Sequence, residues 1–216
     1  SAIHNPTGAT LSPQTAHRIL TLATAEDMVI VEDDIFADFE PEPSPRLAAL
    51  DGLDRVVRIG SFSKTLSASV RCGYIAARPD WIDGLVDLQV ATHFGSASPV
   101  AAGIVHAALG DGSYRKHMSA LRTRLARRQK QTLAALGALG ITPWTRPRGG
   151  FALWCRLPDG ADATELARHA LRDGVLLAPG NVFSVARTAP DMMRINVAQM
   201  DDRVIAVLQA SLAGQR

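Results

Sequence analysis

The run Met28–Val31 is apolar without alternation and is closed abruptly by Glu32, Asp33 and Asp34. A strand of that kind suits a parallel sheet covered on both faces, where neither side of the pleat needs polar residues. Val56–Gly60 reads as a second buried strand and Cys72–Ala77 as a third. Leu11–Glu26 has helical apolar spacing at Ala16, Ile19, Leu20 and Ala23, with Ser12 placed to cap it and Pro13 at its first position. Strand, helix and strand in succession imply a right-handed crossover and parallel strands. The expected fold class is α/β, a mainly parallel sheet with helices.

Farther along, the pattern changes. Phe39–Pro45 holds three prolines and reads as a loop, and Trp81–Ala108 is helix-prone with breaks near Gly95 and at Ser98-Pro99. A long helix is expected over Ser113–Leu136, with Met118, Leu121 and Leu125 on one stripe that resumes at Leu133 and Leu136. Beyond it come a strand (Phe151–Leu157), a helix (Ala163–Arg172), two strands (Val175–Ala178 and Met193–Ala198) and a closing helix (Asp201–Ala213). That is a small α+β unit, so the expected domains are residues 1–112 and residues 113–216. Ser1–Gly8 reads as the end of a strand running into a turn, with no element before it to pair with. The chain is therefore expected to be the carboxyl-terminal piece of a longer protein.

Composition excludes several classes. With 23 basic and 21 acidic residues the net charge is +2, too balanced to argue for nucleic acid. No run approaches the ~18 uncharged apolar residues of a membrane span. Cys72 and Cys155 each sit in apolar or strand-like runs and read as reduced core thiols, which favours the cytoplasm. No metal site is expected.

Ligands of parallel sheets bind just beyond the carboxyl ends of the strands, and here the polar clusters fall at those ends. Asn5 follows the first run, Asp33 the second, and Ser61, Ser63 and Lys64 the third; Arg71 lies seven residues past Lys64. A phosphorylated aldehyde cofactor would use all of these. An amine held beside cationic or desolvating neighbours has the lowered pKa that Schiff-base chemistry needs, the role open to Lys64. Asp33, buried at a strand end, would pair with a pyridinium nitrogen. Ser61, Ser63 and Arg71 would hold a phosphate, the arginine through a charge-assisted fork. Taken singly, a lysine after a strand is an ordinary surface residue, Asp33 and Asp34 are turn caps, and the basic cluster Arg122, Arg124, Arg127, Arg128 and Lys130 is the solvated face of a long helix.

In order and spacing, His4-Asn5-Pro6-Thr7-Gly8, Glu32-Asp33-Asp34 and Ser61-Phe62-Ser63-Lys64 through Arg71 resemble the N-P-T-G, D-x-x-Y and S-x-S-K-x(6)-R elements of fold-type-I, class I aminotransferases. Downstream, Arg148-Gly149-Gly150-Phe151 resembles that family's glycine-rich entry to the small domain, and Ala178-Pro179-Gly180 with Phe183 its P-G-x-x-F turn. The resemblance implies part of a pyridoxal-phosphate (PLP) transferase large domain followed by a small α+β domain. It assigns Asn5 to the cofactor's O3′, Asp33 to its ring nitrogen, Lys64 to its covalent link and Arg194 to the substrate α-carboxylate. It also implies that the peptide before Pro6 is often cis and that the protein is a homodimer binding an amino acid or amino compound.

Two departures stand out. Phe36 occupies the tyrosine position of D-x-x-Y and has no phenolic hydroxyl, which leaves Asn5 as the main donor to O3′ and implies weaker cofactor retention. The phosphate-gripping loop and ring-stacking aromatic of the family's amino-terminal half are not visible. The wording of Ser61–Tyr74 and of Ser113–Lys130 resembles the aminotransferase-like domain of GntR/MocR-type transcription regulators, in which DNA is bound through a separate amino-terminal domain. A working amino acid aminotransferase is the alternative, and a PLP lyase or decarboxylase a third class less suited to Arg194.

Overall fold

The computed structural model describes residues 2–93, 98–158 and 160–215. The chain divides into two compact units: residues 1–2 with 10–121, and residues 3–9 with 122–216.

In the first unit, helix α1 (Pro13–Ala25) starts as expected: Ser12 Oγ accepts from the Thr15 N–H, and Pro13 fills the first helical position. Strand β1 (Ile30–Asp33) lies parallel to β2 (Val56–Ser61), with Ile30 opposite Val56 and Asp33 opposite Ile59. Between them sits the short helix α2 (Leu47–Asp51), ended by Gly52 in the left-handed region. Ala16, Leu47, Ala48 and Val56 form the buried cluster, so α1 and α2 cover one side of the strands. The expectation of cover on both faces fails for β1. Its burial alternates, and Val31 is 62% exposed, because no described element packs over that side of the pleat.

Strand β3 (Gly73–Ala76) is antiparallel to β2, pairing Ser61 with Gly73 and Arg58 with Ala76. Two glycines permit that approach. A Cβ on Gly60 would lie 2.3 Å from the Tyr74 ring, and one on Gly73 would lie 2.7 Å from the Gly60 carbonyl oxygen. Helices α3 (Pro79–His93) and α4 (Pro99–Gly110) follow; Ser98-Pro99 marks the start of α4, while Gly95 lies outside the described residues. The loop after β1 carries a 3-10 turn at Ala37–Phe39 that buries Phe39.

Helix α5 (Ser113–Ala138) buries Met118, Leu125, Thr132 and Leu136, close to the expected stripe. The second unit continues with β4 (Thr142–Pro143), β5 (Ala152–Arg156), α6 (Ala163–Arg172), β6 (Ala178–Pro179), β7 (Met192–Asn196) and α7 (Asp202–Ala213). The four strands form an antiparallel sheet in the order β4-β5-β7-β6. Leu153, Cys155, Leu166, Met193, Ile195 and Leu208 are its buried core. Asp162 caps α6 by accepting from the Thr164 and Glu165 N–H groups, and Asp201 caps α7 by accepting from Val204. The strand expected at Val175–Ala178 is confined to Ala178–Pro179. Residues 175–177 have no ladder partner, and the Val175 N–H is used by the Ala170 carbonyl at the end of α6.

Both cysteines are free and buried, and burial pushes the Cys155 thiol up to about 12. Among the described residues, no helix is long and apolar enough to cross a membrane.

Candidate functional site

In the first unit the carboxyl ends of β1 and β2 lie on one edge because the strands are parallel. Asp33 ends β1, and Ser61 ends β2 two residues beyond the partner of Asp33. Antiparallel β3 then brings its own start back to that edge. The Phe62 N–H donates to the Cys72 carbonyl at 3.0 Å, which sets Arg71 beside the turn carrying Lys64. Asp33, Ser61, Ser63, Lys64 and Arg71 thus share one strand-end rim.

The turn is built locally. Ser61 Oγ donates to Ser63 Oγ at 3.1 Å and accepts from the Ser63 N–H at 3.1 Å. Lys64 follows, exposed and without an ion-pair partner among the described residues. Arg71 adopts a left-handed backbone (φ 48°) and exposes its side chain. Two hydroxyls, a guanidinium and an amine suit a phosphate and an aldehyde, so the residues present fit a phosphorylated aldehyde cofactor.

A group unmarked by the sequence reading braces this rim. His117 Nε2 lies 2.8 Å from the Thr65 carbonyl oxygen, one residue after Lys64. Tyr114, one turn earlier on α5, hydrogen-bonds Asp38 and packs edge-on against Phe62 at 5.8 Å. Burial and the Asp38 hydrogen bond both raise the Tyr114 pKa, which keeps the phenol protonated as the donor. The i, i+3 spacing of Tyr114 and His117 was the only sign of this in the sequence.

Three expectations need correction. Residues 2–9 form no strand; Ile3 has a positive φ of 53°, incompatible with extended pairing, and the segment closes as a turn through Gly8 N–H to the His4 carbonyl. Asp33 is exposed rather than buried, its Oδ1 accepting from the Ile35 N–H, because the alternation of β1 turns its side chain to the uncovered face. Asp34 is no turn cap. It is fully buried and accepts from Arg46 Nε at 2.7 Å and from Arg58 Nη2 at 2.8 Å. Arg46 also reaches Glu40 at 2.9 Å. Burial would raise the Glu40 pKa, but hydrogen bonds from Ser44 and Arg46 outweigh it and hold the carboxyl below its usual value. Glu32, which the sequence marks only as closing the strand, accepts from the Leu47 and Ala48 N–H groups at 2.9 and 3.0 Å and so caps α2. Phe36, half-buried, sits 6.4 Å from the Phe39 ring.

The second unit holds the other two candidates. Asn5 and Arg194 are 189 residues apart, yet Arg194 Nη1 donates to Asn5 Oδ1 at 3.2 Å. The Asn5-Pro6 peptide is cis, and Gly8 beside it has φ 71° with no room for a Cβ against Pro147. The Arg194 guanidinium lies over the Phe183 ring at 5.0 Å, and Phe183 meets Trp154 edge-on at 5.6 Å. Nothing in the sequence marks either aromatic for this supporting role. Arg194 also lines a cleft of about 500 Å³ with Leu177, Val182, Asn196, Met200 and Val204. A planar fork on an aromatic platform beside an amide suits a carboxylate ligand.

A family model for aminotransferase class I and II matches residues 1–212. The chain is 32% identical over 186 residues to "Uncharacterized HTH-type transcriptional regulator YisV" of Bacillus subtilis (strain 168), a match covering 84% of this chain and 38% of that protein. It is 32% identical over 212 residues to aromatic-amino-acid aminotransferase 1 of Thermococcus litoralis, covering 93% and 49%. The crystal structure of LysN, an α-aminoadipate aminotransferase from Thermus thermophilus complexed with N-(5′-phosphopyridoxyl)-L-leucine, superposes with a TM-score of 0.87 at 27% identity, covering 99% of this chain and 57% of that one. The chain thus spans less than half the length of these two sequence relatives. It belongs to the class I and II aminotransferase family.

Proposed function

We propose that this chain is the PLP-binding, ligand-sensing domain of a GntR/MocR-type transcription regulator, with Lys64 as the residue that holds the cofactor. The observation that carries the cofactor reading is the shared rim of Asp33, Ser61, Ser63, Lys64 and Arg71. Similarity to an HTH-type regulator and phenylalanine at position 36 support the sensor over the enzyme. DNA would be bound by a separate part of the longer protein. The protein works as a homodimer in the cytoplasm, where two free buried thiols are stable.

When bound, PLP supplies an electrophilic aldehyde carbon and a ring that withdraws electrons. Ser61 and Ser63 hydroxyls and the Arg71 guanidinium would hold its phosphate. Asp33 would pair with the ring nitrogen and favour its protonated form. Asn5 Oδ1 is engaged by Arg194, so its Nδ2–H groups are the ones left to donate to a ligand oxygen. Phe36 donates nothing there. Arg194, steadied on Phe183, takes the carboxylate of an amino acid or related amino compound. Lys64 Nζ, the amine of the first unit's rim, would serve as the base for the proton on the α-carbon.

The second reading is a working amino acid aminotransferase. It is favoured by the T. litoralis relative and by the pairing of Arg194 with Asn5. One experiment separates the two. The absorbance of the longer parent protein with PLP is recorded for the wild type and for Lys64→Ala. A band near roughly 420 nm that needs Lys64 supports the cofactor assignment. Amino acids are then added one at a time: decay of the band to the amine form identifies an enzyme, and a shift without decay a sensor. A parent protein with no Lys64-dependent band refutes the assignment.

A further inference from the structure

Charge is unevenly distributed along this chain. Between Asp111 and Asp159 there are ten basic residues and no acidic one, whereas the rest of the chain has thirteen basic and twenty-one acidic. The near-neutral total conceals this. Within the second unit the excess is concentrated on α5. Leu125, Thr132 and Leu136 form its buried side, while Arg124, Arg127 and Lys130 are exposed. At about 100° per residue, these three fan across the side opposite the buried stripe. Arg128 lies apart from them, lining a cleft of about 290 Å³ with Asp201 and Asp202.

A helix that is merely solvated interleaves acids one turn from its bases, because like charges at that spacing repel. Here no such acid exists, and Arg124, Arg127 and Lys130 have no ion-pair partner among the described residues. The charge is left for an external anion. The exposed positions beside them hold threonine, alanine and glutamine (Thr123, Ala126, Gln131, Ala134), with no large apolar side chain to enter a lipid interface. A rigid row of long cations flanked by small and amide side chains matches a phosphate backbone.

We propose that this face of α5, carried by Arg124, Arg127 and Lys130, is a docking surface for the phosphate backbone of double-stranded DNA. It acts independently of base sequence and adds to the affinity of the parent regulator. The inference rests on the regulator reading for its biological sense, but its test does not depend on that reading. The contact releases counterions, so binding weakens with salt by about 0.9 in log–log slope per phosphate engaged.

The test is fluorescence anisotropy of this chain with two unrelated labelled 20-bp duplexes, from 50 to 200 mM salt. The triple variant Arg124→Gln/Arg127→Gln/Lys130→Gln is compared, with circular dichroism to confirm its fold. The wild type should bind both duplexes alike. The variant should lose at least about tenfold in affinity at 100 mM salt and about 2.7 in slope, the share of three contacts. Absence of wild-type binding at 50 mM salt overturns the proposal, as does a variant that binds equally well. Tighter binding to phosphatidylserine vesicles than to either duplex also overturns it, in favour of a membrane surface. The DNA titration needs no PLP, so a failure of the cofactor reading shows separately, in the absorbance experiment alone.

Discussion

Arg46→Met tests the buried charge network at the end of β1. The Arg46 side chain is 12% exposed and faces two carboxylates that are 0% and 1% exposed, on Asp34 and Glu40. It also donates to the Ser44 carbonyl and hydroxyl. Methionine keeps most of the aliphatic volume, so the cavity contribution is small. What remains is the cost of leaving buried carboxylates short of a partner, about 3–5 kcal/mol when a buried pair loses one member. Asp34 keeps Arg58 and Glu40 keeps the Ser44 N–H and hydroxyl, which lowers the expected loss to about 2–4 kcal/mol. With a urea m-value of roughly 2 kcal/mol/M, the unfolding midpoint should fall by about 1–2 M at pH 7.

The pH dependence has a definite sign. Glu40 titrates below its ordinary value of 4.5 in the folded chain. Its contribution is therefore complete above that unfolded value and is lost as pH falls through the lower folded value. Arg46→Met removes part of that contribution, and in the variant Glu40 is protonated more readily. The difference between wild type and variant should be largest near neutrality and shrink below about pH 4.5. Urea melts at pH 7 and pH 4, followed by circular dichroism, provide the comparison. A loss under about 0.5 kcal/mol at pH 7, or the same loss at both pH values, would refute the reasoning about buried charge.

Two further outcomes can be checked. Phe36→Tyr introduces a phenolic donor three residues after Asp33; PLP should be lost more slowly on dialysis, and the alkaline titration of the roughly 420 nm band should move to lower pH. An unchanged midpoint would mean that residue 36 does not face the cofactor's O3′. Glu32→Ala strips the Leu47 and Ala48 N–H groups of α2 of their acceptor and should cost about 1–3 kcal/mol in urea unfolding. A neutral result would show that water replaces the carboxylate there.

Local chemistry was legible in the sequence wherever one residue decides its own neighbourhood. Ser12-Pro13 opened α1, Ala163–Arg172 was the helix expected, and the apolar stripe of α5 fell nearly where its spacing placed it. Short polar motifs after apolar runs likewise marked Ser61, Ser63, Lys64 and Arg71, because strand ends and turns impose their residue types over a few positions. The rest required the assembled chain. Whether Asp33 or Asp34 is the buried carboxylate depends on which face of β1 is covered, and two adjacent aspartates carry no record of that. The failure of residues 2–9 to form a strand turned on the positive φ at Ile3, which nothing in its side chain announces. Glu32 capping α2, His117 reaching the Thr65 carbonyl and Arg194 meeting Asn5 on a Phe183 platform all join residues 11 or more positions apart. Sequence spacing sets a side chain's direction only within its own element. Partners in other elements are chosen by packing and by the requirement that buried polar groups be satisfied, and those conditions exist only once the tertiary structure has closed.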